Sequence, residues 1–432
     1  MFSKDVLRGV VYQQKASGFG CGGTVRRGVL GEVLKWLGDD RVLVLSGLRR
    51  CGKSTVLRQV MASLDGFSYV NFEDERFTGF KASDFESLNE VLSEAYGRGR
   101  TYFFDEIQNI RGFESFVRRL QDSGSKVVIT GSNASLLSRE LGTKLTGRYR
   151  QFEVYPFSFR EYLTFHGALP SEGEEYLTEK KADIISHLKK YLVVGGLPEY
   201  LKNHDLEYVQ TLYENILYRD VVVRYSIRME KTVKELASLL ATNIASEFTY
   251  NSAKKTLGLS NAITVKEYVS YLGNSYLFFE LPRFHSSAKK QLASPRKIYS
   301  VDPAFKAILG TNFQENLGRS LENVVFLELK RRKASLNYYS GKNECDFIVS
   351  KSGRPTQAIQ VCHTLDETNM RREVEGLVEA MEKLRLKDGL ILTLEQEDEI
   401  NEGNRAIPVM PAWKWLLQTG EKEAGALGGL MP

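Results

Sequence analysis

Cysteine is scarce in this 432-residue sequence: four residues, at positions 21, 51, 345 and 362, with no C-x-x-C pair and no cysteine/histidine cluster. That pattern excludes a disulfide-stapled secreted scaffold, offers no tetrahedral metal site and fits a reducing compartment. Long hydrophobic runs are missing too. Nowhere do about 18 apolar residues follow one another without a charge, and the opening "MFSKDVLRGVVYQQK" lacks the apolar core of a secretion signal. The expectation is a cytoplasmic chain with no membrane partner. Proline is rare, with 10 residues, which argues against long disordered tracts. No charge of one sign dominates: 59 basic against 54 acidic residues give a formal +5, mild for this length, and describe a mixed, solvated surface.

What is present is an ordinary globular composition, 42% apolar and 26% charged, on a chain too long for one core. At roughly 100 to 200 residues per domain, two to four domains are expected.

The strongest local signal is "SGLRRCGKST", which follows the β-branched run "RVLVL" and precedes a helical stripe of Val56, Leu57, Val60 and Met61. Strand, glycine loop, helix is the context a G-x-x-x-x-G-K-[ST] motif requires. Gly47 and Gly52 permit backbone conformations closed to other residues, so that the amides of Leu48, Arg49, Arg50, Cys51, Lys53, Ser54 and Thr55 can surround an anion at a helix start. Lys53 would reach the outer phosphates of ATP, and Ser54 would take one position on Mg²⁺. "TYFFDEIQNI" supplies a second strand ending in Asp105, a further metal ligand, and Glu106, a base for the attacking water. "KVVITGSNAS" ends in Ser132 and Asn133, where a polar side chain could orient that water. The alternating elements predict an α/β fold, a parallel sheet with helices on both faces and the ligand at the strands' carboxyl ends.

"GLRRCGKST", "YFFDEIQ", "VVITGSNASLLS", "LTGRYRQFEVYPFSFREYL", "YLVVGGLPEY" and "LYRDVVVRYSIR" together resemble the AAA-type ATPases of archaea and bacteria that carry a conserved carboxy-terminal domain of unknown function. The resemblance spans most of the chain. It implies an ATPase with Lys53 and Ser54 on the nucleotide, Asp105 on Mg²⁺, Glu106 as base and Asn133 as sensor. Arg148 or Arg150 of "GRYR" is the candidate arginine neutralising transition-state charge in the same or a neighbouring subunit, which implies an oligomer in the second case. Arg49 and Arg50 are unusual cations beside a triphosphate and would bind phosphate or meet an acidic partner.

Four segments follow: 1–165, the P-loop domain; 166–228, a helical lid broken at Gly195, Gly196 and Pro198; 229–305, a candidate winged helix; and 306–432. In the third, three helical stripes and the strand "SYLFFELPRF" outline a winged helix, with Lys254, Lys255 and Lys266 placed for double-stranded DNA; such modules equally serve protein partners. In the fourth, the order of helix and strands resembles the restriction-endonuclease-like core. Its helix Glu, strand-end Asp and E-x-K positions read Glu322, Asp346 and Gln360 to Cys362. Gln360 removes a charge and Cys362 an ammonium, so the expectation is a degenerate site without nuclease chemistry. The leading reading is an ATP- and Mg²⁺-dependent ATPase acting on a DNA-binding tail. The alternatives are a nucleotide-sensing scaffold and an ATP-driven nuclease.

Overall fold

The computed structural model describes residues 2–97, 101–132, 142, 145–309 and 317–418. They form two compact units, Met1–Pro156 with Asn274–Tyr276, and Phe157–Gly273 with Leu277–Pro432.

The first unit is built on five strands: β1 (Val42–Gly47), β2 (Ser68–Asn71), β3 (Thr101–Asp105), β4 (Lys126–Gly131) and β5 (Tyr149–Val154), ordered β2-β3-β4-β1-β5. Every pairing is parallel. Helices cover the sheet, so β1 is buried at every residue and can be the continuous apolar run seen in its sequence. The fold class expected for this region is the one observed. The helix Lys4–Ala16 adds an element that the sequence reading left out. Its Leu7, Val10 and Val11, spaced i, i+3, i+4, are buried in the same cluster as Val44, Val70 and Phe104. Phe85 and Phe116, from the helices Phe85–Tyr96 and Phe113–Asp122, stack at 4.4 Å within that core.

This unit closes at Pro156, short of the expected boundary at 165. The reason is aromatic: Phe159 and Tyr162 of the helix Phe159–Phe165 pack 5.6 and 5.2 Å from Tyr191 in the second unit's helix Thr178–Val194.

The second unit begins with helices. The break at Gly195 to Pro198 is where the sequence placed it: Gly195 has φ +69°, and Pro198 opens the helix Pro198–Asn203. Helices Glu230–Thr242, Tyr250–Thr256 and Ala262–Asn274 follow, accompanied by an antiparallel sheet of β6 (Glu247–Phe248), β7 (Phe278–Pro282) and β8 (Arg296–Ser300), ordered β6-β8-β7. The last third carries six strands, β9 (Ser335–Ser340), β10 (Glu344–Lys351), β11 (Arg354–Val361), β12 (Asp388–Thr393), β13 (Asp398–Glu402) and β14 (Arg405–Pro411), ordered β13-β14-β12-β11-β10-β9. β9, β10 and β11 pair antiparallel, whereas β12 joins β11 and β14 in parallel. The helix Met370–Leu384 connects β11 to β12, and a Cβ on its Gly376 would lie 2.1 Å from the Glu344 carbonyl oxygen, so only glycine allows this approach. β13 was not expected from the sequence. "DEINE" carries charge on an edge strand, where it discourages pairing with another chain and hides the strand from an apolar pattern.

Candidate nucleotide site

The glycine loop joins β1 to the helix Lys53–Met61. Gly47 passes so close to β5 that a Cβ would lie 2.0 Å from the Val154 carbonyl oxygen. Gly52 has φ +101°, and a Cβ there would meet the Arg27 guanidinium at 2.6 Å. That guanidinium is buried behind the loop, donating to the Cys51 carbonyl at 2.9 Å and the Tyr155 carbonyl at 2.7 Å. It fixes the peptide preceding Gly52 from the rear. The Cys51 thiol lies 3.0 Å from the Val154 carbonyl oxygen, and burial pushes it above the ordinary thiol range, so it is a packing group rather than a nucleophile.

Lys53 is 4% exposed; its ammonium donates to the Gly47 and Leu48 carbonyls at 3.3 and 3.1 Å and stands 3.3 Å from Glu106. Burial alone would lower its pKa, but Glu106 and the other nearby groups more than offset this and raise it above the ordinary lysine value. Glu106 shows the converse. Burial pushes it up, yet Lys53, the Gln108 amide and Arg49 hold it below the usual carboxylate range. It adopts φ +51°, strained for a residue with a side chain, and its N–H donates to the Thr130 hydroxyl at 2.8 Å.

Asp105, at the end of β3, is 2% exposed. Its carboxylate accepts from the hydroxyls of Thr130 and Tyr69 and from Ser54, and burial raises its pKa despite those bonds. Lys53, Ser54, Asp105 and Glu106 are therefore brought together as the sequence anticipated. Thr130, Gln108, Tyr69 and Arg27 were missed. Thr130 lies inside the quoted "VVITGSNAS", one residue before the strand ends, but nothing local shows that its hydroxyl turns toward β3.

Ser132, just past β4, is 1% exposed and its hydroxyl has no hydrogen-bond partner among the described residues. Asn133, the expected sensor, lies outside the described residues. Arg49 donates to Glu73 at 2.9 Å, the acidic partner being one of its own chain, and Arg50 is exposed at φ +65°. A role for Arg148 or Arg150 on the phosphates of the same chain is overturned. β5 runs parallel to β1 with Leu43 opposite Arg150, about 13 Å from Gly47 at a strand's rise per residue. There Arg148 pairs with Asp122 at 2.7 Å, and the Arg150 guanidinium sits 3.5 Å over the Trp36 ring.

In the second unit Lys255 and Lys266 are exposed and Lys254 is half-buried; none of the three enters an ion pair among the described residues. Glu322, Asp346 and Gln360 are brought together, and Cys362 lies at their edge, where burial first and then Glu373 and Asp346 push its thiol up to about 12. An unforeseen ammonium, that of Lys297 on β8, enters this group.

Among the described residues no helix is long and apolar enough to cross a membrane.

A parallel sheet with a glycine loop at the end of β1, and a paired Asp-Glu at the end of β3, the next strand but one, defines a P-loop NTPase of the AAA type. An AAA domain family matches residues 39–163, and a domain of unknown function, DUF8612, matches residues 185–316. An uncharacterised protein of Methanocaldococcus jannaschii is 35% identical over 401 residues, covering 88% of each chain, and the present chain belongs to its family. An uncharacterised protein of Haemophilus influenzae is 29% identical over 415 residues, covering 91% of this chain and 98% of its own. The AMPPCP-bound DnaA of Aquifex aeolicus is 12% identical, with a TM-score of 0.24 over 57% of this chain and 86% of its own, a likeness that leaves function untouched.

Proposed function

We propose that the chain hydrolyses ATP with Mg²⁺ and that turnover drives or regulates a conformational change of its carboxy-terminal modules. The observation that carries this is the placement of Lys53, at the glycine loop, 3.3 Å from Glu106, at the end of β3, with Ser54 and Asp105 in contact beside them. These residues fit a triphosphate and its cation: one carboxylate and one hydroxyl are what a magnesium ion shared with phosphate oxygens takes from a protein. Ser54 and Asp105 would hold it, and it would supply charge neutralisation on the phosphates.

Among the described residues Lys53 has no negative partner but Glu106 at ion-pair distance, and its other two acceptors are backbone carbonyls. An arriving phosphate offers the ammonium a stronger partner and so releases Glu106, which remains ionised at neutral pH and is free to take a proton. In the reaction, water's oxygen bonds to the γ-phosphorus, its proton passes to the Glu106 carboxylate, and the bond from the γ-phosphorus to the bridging oxygen breaks, leaving ADP and phosphate. Gln108 orients Glu106, and the free Ser132 hydroxyl can orient the water. Steady-state phosphate release tests the reading. Wild type should turn over, with Glu106→Gln slower by about 10²- to 10⁴-fold. Equal, negligible rates would instead favour a nucleotide-sensing scaffold.

The winged-helix reading of 229–305 belongs to the same proposal. Two helices separated by a short turn, next to an antiparallel sheet, support it, and Lys254, Lys255 and Lys266 would meet the phosphates of duplex DNA. Binding that weakens steeply with added salt supports this reading, and no binding at low salt rejects it.

A further inference from the structure

The acidic cradle of the second unit already contains a cation. Lys297 is 1% exposed, and its ammonium lies 3.0 Å from Glu322, 2.8 Å from Asp346 and 2.7 Å from Glu344. The ammonium donates hydrogen bonds to Glu322 and Asp346, and the Glu344 carboxylate adds a third negative oxygen at ion-pair distance. The remaining polar atoms are also satisfied: the Tyr299 hydroxyl donates to Glu322 at 2.7 Å, the Val361 N–H to the second oxygen of Asp346 at 2.9 Å, and the Gln360 amide to Glu373 at 2.6 Å. Phe326 stacks on Tyr299 at 4.1 Å and closes the apolar side.

We propose that the Lys297 ammonium is the resident cation of this cradle, standing where a divalent ion would otherwise sit, and that removing it opens a divalent-cation site formed by Glu322, Glu344 and Asp346. Among the described residues no group of three or more histidines, cysteines and acids is arranged to hold a metal ion. The ammonium that Cys362 fails to provide is present after all, from another strand. Three carboxylates surround it, so it is a counterion and not a group free to activate water. The tail accordingly binds no divalent ion here and cuts no phosphodiester bond.

Mn²⁺ titrations of the full chain without nucleotide, read by electron paramagnetic resonance, test this. Every arm carries Asp105→Asn to silence the nucleotide-site metal. With Lys297 intact, no stoichiometric site is expected. With Lys297→Met, one site at least tenfold tighter should appear, disappear again on adding Asp346→Asn, and raise the melting temperature of the variant only. If Lys297→Met alone does not fold, Lys297→Gln, which keeps a neutral hydrogen-bond donor for the three acids, carries the same comparison. Mn²⁺ uptake, or plasmid cutting, by the Lys297-containing chain that is lost with Asp346→Asn overturns the proposal, as does a folded Lys297→Met variant that takes up no Mn²⁺.

Discussion

Two lysines among the described residues are almost wholly buried, and they do opposite things. Lys53 shares its ammonium among one carboxylate and two carbonyl oxygens of the glycine loop. Lys297 gives its ammonium to three carboxylates. Residue type and burial are nearly the same. The number of negative oxygens already in reach decides whether a buried cation can accept a ligand or is already occupied as a counterion.

The largest effects should come from emptying each site of its cation. Lys53→Ala should weaken ATP binding on the order of 100-fold, from loss of charge-assisted hydrogen bonds, while leaving the fold intact; nucleotide titration and melting measure the two halves. Lys297→Met should behave in reverse. It should leave ATP binding unchanged and destabilise the second unit by about 3–5 kcal/mol, because buried carboxylates lose their partner. Urea unfolding reads this, and a Lys297→Met that is as stable as wild type would erase the contrast.

Asp302 sharpens the comparison as a fully buried acid held by two backbone N–H groups, those of Gly196 at 2.8 Å and Ala304 at 2.9 Å. Burial pushes it up to about 7. The folded state therefore holds a proton that the unfolded chain has released between about pH 4 and 7, and stability falls as pH rises through that window. Asp302→Asn should flatten this part of the pH dependence by a few kcal/mol, measured as urea midpoints at pH 5 and 7.5. An unchanged slope would show that backbone donors alone keep the acid ionised.

The smallest effect is expected at Arg148. Its pair with Asp122 is half exposed on both sides, so Arg148→Ala should change stability by less than about 1 kcal/mol. Phosphate release by the dilute chain should not change either.

How much of this was legible in sequence follows from the same two sites. Gly47 to Thr55 is one contiguous stretch whose chemistry is set by local backbone, and Asp105 and Glu106 end an apolar strand, so both could be read directly. Thr130 reaches Asp105 only because β3 and β4 pair with Phe104 opposite Ile129, a register that no local pattern announces. Arg27 lies 24 residues before Cys51 and 128 before Tyr155, whose carbonyls it holds, separations that no local pattern bridges. Lys297 is 25 residues from Glu322 and 49 from Asp346, on a strand assigned to a different segment. The acids and the altered E-x-K positions were legible, but their cation was not. The same-chain role of the "GRYR" arginines was misplaced for a related reason. Proximity to the sensor strand in sequence placed them near the phosphates, whereas β5 begins at the far end of β1.

Calorimetric titration of ATP with Mg²⁺ into wild type and into Lys53→Ala tests the central claim most directly. Saturable heat for one site per chain in wild type, and none in Lys53→Ala at the same concentrations, is the expected result. No heat in wild type, or the same isotherm in both, would contradict it.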